Sequence, residues 1–191
     1  MSAAPDAPRV APGGLRDVGP LNWLICAVSG RVAGTGPPNL FLTLARQRGL
    51  FRGWLWFGGR LMPGGRLARR ETELVILRVA HLRDCRYEFD HHVRLARRAG
   101  VRAADVERLG EGPDADGWTP REQAILAAAD ELHHRRDLSD ETWARLRERL
   151  TEAECVELCM LAGHYEMLAT VITALRVRPD VPRPTRPRPR P

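Results

Sequence analysis

Lysine is missing from this chain: all 30 basic residues among its 191 are arginine. Without lysine it cannot hold a carbonyl substrate or pyridoxal phosphate as a Schiff base. Nor can it build a P-loop, whose lysine reaches the β- and γ-phosphates. The dinucleotide fingerprint G-x-G-x-x-G, the nucleophile elbow G-x-S-x-G and the zinc helix H-E-x-x-H are absent too. No cofactor and no metal site are therefore expected. Cysteine is sparse: Cys26, Cys85, Cys155 and Cys159 are too few and too scattered for a secreted disulfide framework. No apolar run approaches the ~18 residues that cross a bilayer. The opening MSAAPDAPRVAPGG lacks a charged segment followed by an apolar core. The expectation is a soluble, cytoplasmic protein with reduced thiols and no membrane partner.

The formal net charge is +6, but its position removes the nucleic-acid reading that it invites. Residues 176–191 hold six Arg and one Asp, so the remainder is close to neutral. Nucleic acid is not expected as a partner. Residues 1–20, rich in Ala, Pro and Gly, read as a disordered N-terminal tail. Residues 21–176 read as one helical domain. Residues 177–191 alternate Arg and Pro and read as a disordered, polyproline-II-like tail.

Within the domain the signals are helical. Leu21–Val32 is a short apolar helix or arm. Asn39 is a fair cap for a helix ending near Gly49. The aromatic run around Trp54, Trp56 and Phe57 reads as core or subunit interface. A pair of helices spans Glu71–Val101, broken near Arg83–Asp84 and closed by Gly100. A short helix follows over Ala103–Leu109. Thr119-Pro120-Arg121-Glu122 and Thr151-Glu152-Ala153-Glu154 are capping boxes, and Ser139 is a third cap. No strand signal emerges. The fold class is all-α, with six to eight helices packed as antiparallel hairpins. Cys155, Cys159 and His164 do not share a helix face, so the cysteines read as packing thiols. His133-His134 reads as a solvated helix end, and His81 as a residue at the helix break.

The central pair carries the chemistry. At about 100° per residue, Glu88 and His92 share a side with Cys85, among Phe89, Val93, Leu95, Ala96 and Ala99. Arg86, Asp90, His91, Arg94, Arg97 and Arg98 take the opposite side. Glu73 aligns with Ile76, Leu77 and Ala80. Burying acids and an imidazole costs several kcal/mol unless they pair or shift their pKa. A buried Glu73–Cys85–Glu88–His92 cluster is inferred. Asp84 is the expected N-cap, which would place Cys85 in a first helical turn that stabilises thiolate; Glu88 would oppose that.

Three segments then resemble a known family: R-E-x-E-L-V-I-L-R-x-A at Arg70–Ala80, C-x-Y-E-[FW]-x-x-H at Cys85–His92, and A-x-x-A-G-[VL] at Ala96–Val101. Together with NLFLTLARQRGL, DELHHRRDLSDETWARL and GHYEM they are similar to the carboxymuconolactone decarboxylase family, which includes the alkylhydroperoxidase D-like proteins. The resemblance covers most of residues 37–176. It implies an all-helical bundle that assembles into homo-oligomers with the site near subunit contacts. Redox members carry C-x-x-C-x-x-x-H with an upstream glutamate. Glu73, Cys85 and His92 match that pattern, and Glu88 stands where the second cysteine belongs. Glu88 cannot form the disulfide through which those members cycle.

Three functions follow as expectations. The first is a thiol-based, peroxidase-like oxidoreductase: Cys85 attacks a peroxide, Glu73, Glu88 and His92 relay protons, and an external thiol restores Cys85. The second is a lyase acting on a small carboxylated lactone or related acid, with His92 as acid or base. The third is an oligomeric scaffold without catalysis. A Cys85 pKa well below the ~8.5 of a free thiol favours the first, and a raised one favours proton transfer.

Overall fold

Side-chain oxygens at three positions start helices by taking backbone donors that the first turn leaves unpaired. Thr119 Oγ1 accepts the Glu122 N–H at 3.2 Å while Glu122 returns a carboxylate to the Thr119 N–H at 2.9 Å. Thr151 and Glu154 form the same reciprocal box, and Ser139 accepts from the Thr142 N–H. The computed structural model describes residues 7–181. Its helices are α1 (Leu15–Val18), α2 (Pro20–Ala33), α3 (Asn39–Leu44), α4 (Arg48–Leu61), α5 (Arg69–Leu82), α6 (Arg86–Arg98), α7 (Ala103–Glu111), α8 (Pro120–Arg135), α9 (Asp140–Arg147) and α10 (Glu152–Leu175). No strand occurs among the described residues, so the protein is all-α, with more helices than the six to eight expected. The helix expected over residues 39–49 breaks after Leu44, and the aromatic run belongs to α4.

The described residues fall into two compact units. One comprises those up to Trp54 and from Leu175 on, and the other is Leu55–Ala174. In the first unit, Val18 is buried and the Gly13 N–H donates to the Leu42 carbonyl at 3.1 Å. The Arg9 N–H donates to the Leu175 carbonyl at 3.0 Å. Asn39 binds Asp180 through its backbone N–H at 2.7 Å and reaches the carbonyls of Arg178 and Pro179 through Nδ2. Phe41, Phe51 and Trp54 pack ring against ring. Residues 7–20 and 177–181, expected within disordered tails, include α1 and carry these bonds, with the Gly36 N–H donating to the Val181 carbonyl at 3.3 Å. Residues 1–6 and 182–191, the rest of those tails, lie outside the described residues.

The second unit is organised around α5, in which every residue from Glu71 to Ala80 is buried. Helices pack on it from several sides, so an apolar stripe is not enough and its polar residues must find partners. Leu74 and Leu77 meet Ala96 of α6, Val101, Leu109 of α7 and Leu126 of α8 in the hydrophobic core. Arg78 grips Asp130 of α8 with two bonds of 2.6 Å. Arg70 reaches Asp105 at 2.8 Å and Glu122 at 2.7 Å. Arg121 joins Glu71 and Glu154, both at 2.7 Å.

Helix α10 enters the same unit. Its Glu157 carboxylate accepts the backbone N–H groups of Arg66 at 2.6 Å and Leu67 at 3.0 Å, just ahead of α5. A Cβ on Gly65 would meet Glu157 Oε1 at 2.2 Å, so only glycine allows this approach. By length and composition α10 is long and apolar enough to cross a bilayer. Here Leu158, Leu161, Ala162, His164, Tyr165, Leu168 and Ala169 are buried.

Candidate active site

Helices α5 and α6 meet through a three-residue turn whose Asp84 has φ +48°. That left-handed conformation, which Asp tolerates better than most residues, prevents Asp84 from acting as the N-cap. Cys85 takes the cap position instead, and α6 begins one residue later than expected. Cys85 is only 3% exposed. Burial and the Glu88 carboxylate push its thiol up to about 12, outweighing the pull of the Glu88 backbone N–H at the helix start. Of the two opposed influences named from the sequence, the helix start and Glu88, burial and Glu88 prevail.

The four sequence-predicted residues lie in one unit, and all are buried. His92 Nδ1 is 2.8 Å from Glu73 Oε2. Arg69, one turn before Glu73 on α5, donates to the other carboxylate oxygen. Glu73 thus holds the imidazole on one side and a guanidinium on the other. With Nδ1–H donated to Glu73, Nε2 is left for proton exchange.

Glu88 has a different environment. It is 3% exposed, and neither carboxylate oxygen has a hydrogen bond of ordinary geometry. The Cys85 thiol lies beside it. Burial pushes Glu88 up to about 8; the Glu166 charge adds to that, while Cys85 and the Arg83 charge act against it. Glu88 therefore carries its proton at neutral pH. Two acids of one site thus sit in different surroundings: Glu73 between an imidazole and a guanidinium, Glu88 beside a thiol.

Several contributors left no local sequence signal. Tyr165 of α10 is buried and stands edge-on to the His92 ring at 5.2 Å. Burial raises its phenol well above the ordinary value, and the charges of Glu73 and Glu88 add to that. His164 packs between Phe57 and Tyr165, and burial lowers its pKa to about 4. His91, assigned to the outward face of α6, is instead partly buried. Burial lowers its pKa to about 3, with His92 and Arg94 contributing. His133, read as a solvated helix end, places Nδ1 2.5 Å from Glu166 Oε1. The packing reading holds for Cys155, fully buried, whereas Cys159 is half-buried.

A cavity of about 310 Å³ opens beside the turn, lined by Ala80, His81, Asp84, Cys85, Arg86, Phe89 and Asp90. Of the four site residues only Cys85 is in its wall. Among the described residues no group of three or more His, Cys, Asp or Glu could hold a metal ion.

Comparison with known proteins places this arrangement. Residues 48–131 match the model of the carboxymuconolactone decarboxylase family. An alkylhydroperoxidase AhpD core protein, peroxidase-related, from Ralstonia eutropha JMP134 superposes with a TM-score of 0.76 at 20% identity, over 93% of this chain and 94% of that one. A peroxidase-related protein from Silicibacter sp. TM1040 gives 0.74 at 17% identity, over 82% and 83%. The debrominase Bmp8 gives 0.74 at 18% identity, over 89% and 91%. At these identities the structures establish the fold alone. No curated protein matches the chain. The all-α architecture and the matched segment, which contains α5, α6 and the turn between them, agree: the chain has the alkylhydroperoxidase D-like fold, and over residues 48–131 it is similar to the carboxymuconolactone decarboxylase family.

Proposed function

We propose that the protein is an acid–base enzyme acting on a small carboxylated lactone or related organic acid, with Glu88 as the proton donor and the Glu73-held His92 as its partner. One observation carries this reading: Glu88 is buried, lacks an ordinary hydrogen bond, and is pushed up to about 8. A carboxylic acid kept neutral at pH 7 can deliver a proton where an exposed glutamate cannot.

In the decarboxylating form of this chemistry, the C–CO2 bond of the bound acid breaks and CO2 leaves. The electron pair passes into the conjugated carbonyl as an enolate. The carbon then takes a proton from Glu88, directly or through the Cys85 thiol, and Glu88 is reprotonated from solvent. His92, with Nδ1–H donated to Glu73, offers its Nε2 lone pair as a base to a substrate hydroxyl or a water. No electrons are gained or lost by the protein, so neither a second cysteine nor a reductant is needed.

A second reading is favoured by the position of Cys85 in the cavity wall. A peroxide there meets the thiol first. Cys85–SH and ROOH would give the sulfenic acid and ROH; one external thiol would then form a mixed disulfide with release of water, and a second would free Cys85 and leave as the external disulfide. The raised thiol pKa weighs against it.

The test uses the full chain with carboxymuconolactone and related lactone acids, following CO2 release and solvent deuterium entering the product. Parallel reactions contain an organic hydroperoxide and dithiothreitol. The acid–base reading predicts turnover of a lactone acid that survives Cys85→Ser and is lost in Glu88→Gln and His92→Gln. Peroxide consumption that disappears in Cys85→Ser, with no lactone turnover, would replace it by the thiol reading.

A further inference from the structure

Three consecutive residues of the GHYEM motif on α10 each reach a different element. His164 packs its ring against Phe57 of α4, with centroids 5.2 Å apart. Tyr165 stands edge-on to His92 of α6, with centroids 5.2 Å apart and planes at 88°. Glu166 places Oε1 2.5 Å from His133 Nδ1 of α8 and Oε2 3.6 Å from Arg83 Nε in the turn before Cys85. Successive helical residues point about 100° apart, so three in a row fan across more than half of the helix surface. The outer two anchor α10 to its neighbours, and the middle one carries the contact with the site. Two further bonds hold the helix in place. Thr170 Oγ1 accepts from Arg83 at 3.1 Å, and Glu157 takes the backbone N–H groups of Arg66 and Leu67.

The His92 imidazole meets one carboxylate and two rings. Glu73 holds Nδ1 at 2.8 Å, and the rings of Tyr165 and His91 lie at 5.2 Å and 5.4 Å. His91 shares the α6 backbone with His92, whereas Tyr165 brings its contact from a different helix. Tyr165 is itself buried and packs against His164 at 5.3 Å. A hydrogen bond at Nδ1 selects the tautomer and tethers one nitrogen. The ring that packs against the imidazole keeps it from swinging off that tether. A base must aim its lone pair at the proton that it takes, so such a ring bears on the rate as well as on packing.

We infer that Tyr165 is a positioning residue for His92: its ring, anchored through α10, keeps the imidazole on Glu73 and aims Nε2. This role rests on His92 acting as the base of the proposed acid–base site.

The first readout needs no substrate. The full chain is labelled with ¹⁵N histidine, and the His92 ring is assigned by its loss in His92→Gln. Two-bond ¹H–¹⁵N correlation above about pH 8, where a free imidazole is neutral, reads which nitrogen holds the proton. Wild type and Tyr165→Phe, which keeps the ring, are expected to show Nδ1 protonated and Nε2 bare. Tyr165→Leu is expected to show the proton shared between both nitrogens. With a lactone acid, Tyr165→Leu is expected to lower kcat about 10- to 100-fold with KM within about 2-fold, while Tyr165→Phe stays within about 3-fold of wild type. A ring that only fills space would lower the melting temperature of Tyr165→Leu and leave tautomer and kcat in place, and that result would overturn the inference. A loss in Tyr165→Phe as deep as in Tyr165→Leu would overturn it too. So would mixed tautomers in the wild type, a result that needs no variant at position 165 to fold. Wild type that turns over no lactone acid, with the tautomer responding as expected, would instead remove the acid–base reading and leave Tyr165 as the group that positions the imidazole, so the two failures are distinguishable.

Discussion

His92 Nδ1 and Glu73 Oε2 lie 2.8 Å apart, on helices α6 and α5, with both side chains buried. The pairing explains how an imidazole and a carboxylate can share an apolar helix interface. Each satisfies the other, and Arg69 supplies the second carboxylate oxygen. It also sets the chemistry, because a ring held through Nδ1 presents Nε2 in a fixed direction.

His92→Gln is therefore expected to lower kcat by about 100- to 10,000-fold, the usual contribution of one positioned acid–base group. Glu73→Gln keeps an acceptor for Nδ1–H but removes its charge, and is expected to be the milder change. Steady-state kinetics on a lactone acid substrate check the order. Equal activity in wild type and His92→Gln would remove the histidine from the reaction.

Glu88 gives a prediction for stability against pH. Its folded-state pKa is about 8, above the ordinary 4.5 to which it returns on unfolding. Between those values the folded protein binds more protons at this site than the unfolded chain, so its contribution to stability falls as pH rises. Below about 4.5 and above about 8 the contribution is flat. Glu88→Gln removes this slope, so its stability relative to wild type should increase from pH 5 to pH 8 and then level off. Urea unfolding of both proteins across that range measures it. A parallel pair of curves would mean that Glu88 titrates normally.

Asp105 tests what holds the site's frame. It is fully buried and takes Arg70 and Arg108, each at 2.8 Å, and the Arg102 backbone N–H at 2.9 Å. Burial alone would raise its pKa, but Arg70 and then Arg102 hold it well below the usual carboxylate range. Asp105→Ala leaves these arginines without their buried partner and is expected to cost about 3–5 kcal/mol. Arg102→Ala, whose side chain is 75% exposed, should cost less than about 1 kcal/mol. Denaturant midpoints compare the two variants.

Local signals in the sequence marked much of this architecture. The capping residues Thr119, Ser139 and Thr151 start α8, α9 and α10 because a cap involves only four neighbouring residues. Glu73, Glu88 and His92 stood out because a polar residue on an apolar stripe must find a partner. Asp84 was misread because its side chain suits a cap while its backbone turns left-handed, which only the packed turn dictates. Tyr165 and Glu166 carry no such signal, and His133, read as a solvated end, meets Glu166 instead. These contacts arise where α10 meets α6 and α8, and no spacing within one helix encodes such a meeting. Residues 7–20 looked disordered by composition, yet backbone bonds to Leu42 and Leu175 order part of the stretch.

The choice between proton transfer and thiol chemistry rests on the charge state of Cys85. Alkylation of the full chain by iodoacetamide, quantified at the Cys85 peptide by mass spectrometry across pH 6–11, reads that state directly. The account predicts a rate that keeps rising with pH and reaches no plateau in this range, as a thiol pushed up to about 12 requires. A rate that levels off with a midpoint below the ~8.5 of a free thiol would contradict it and make Cys85 the reactive group.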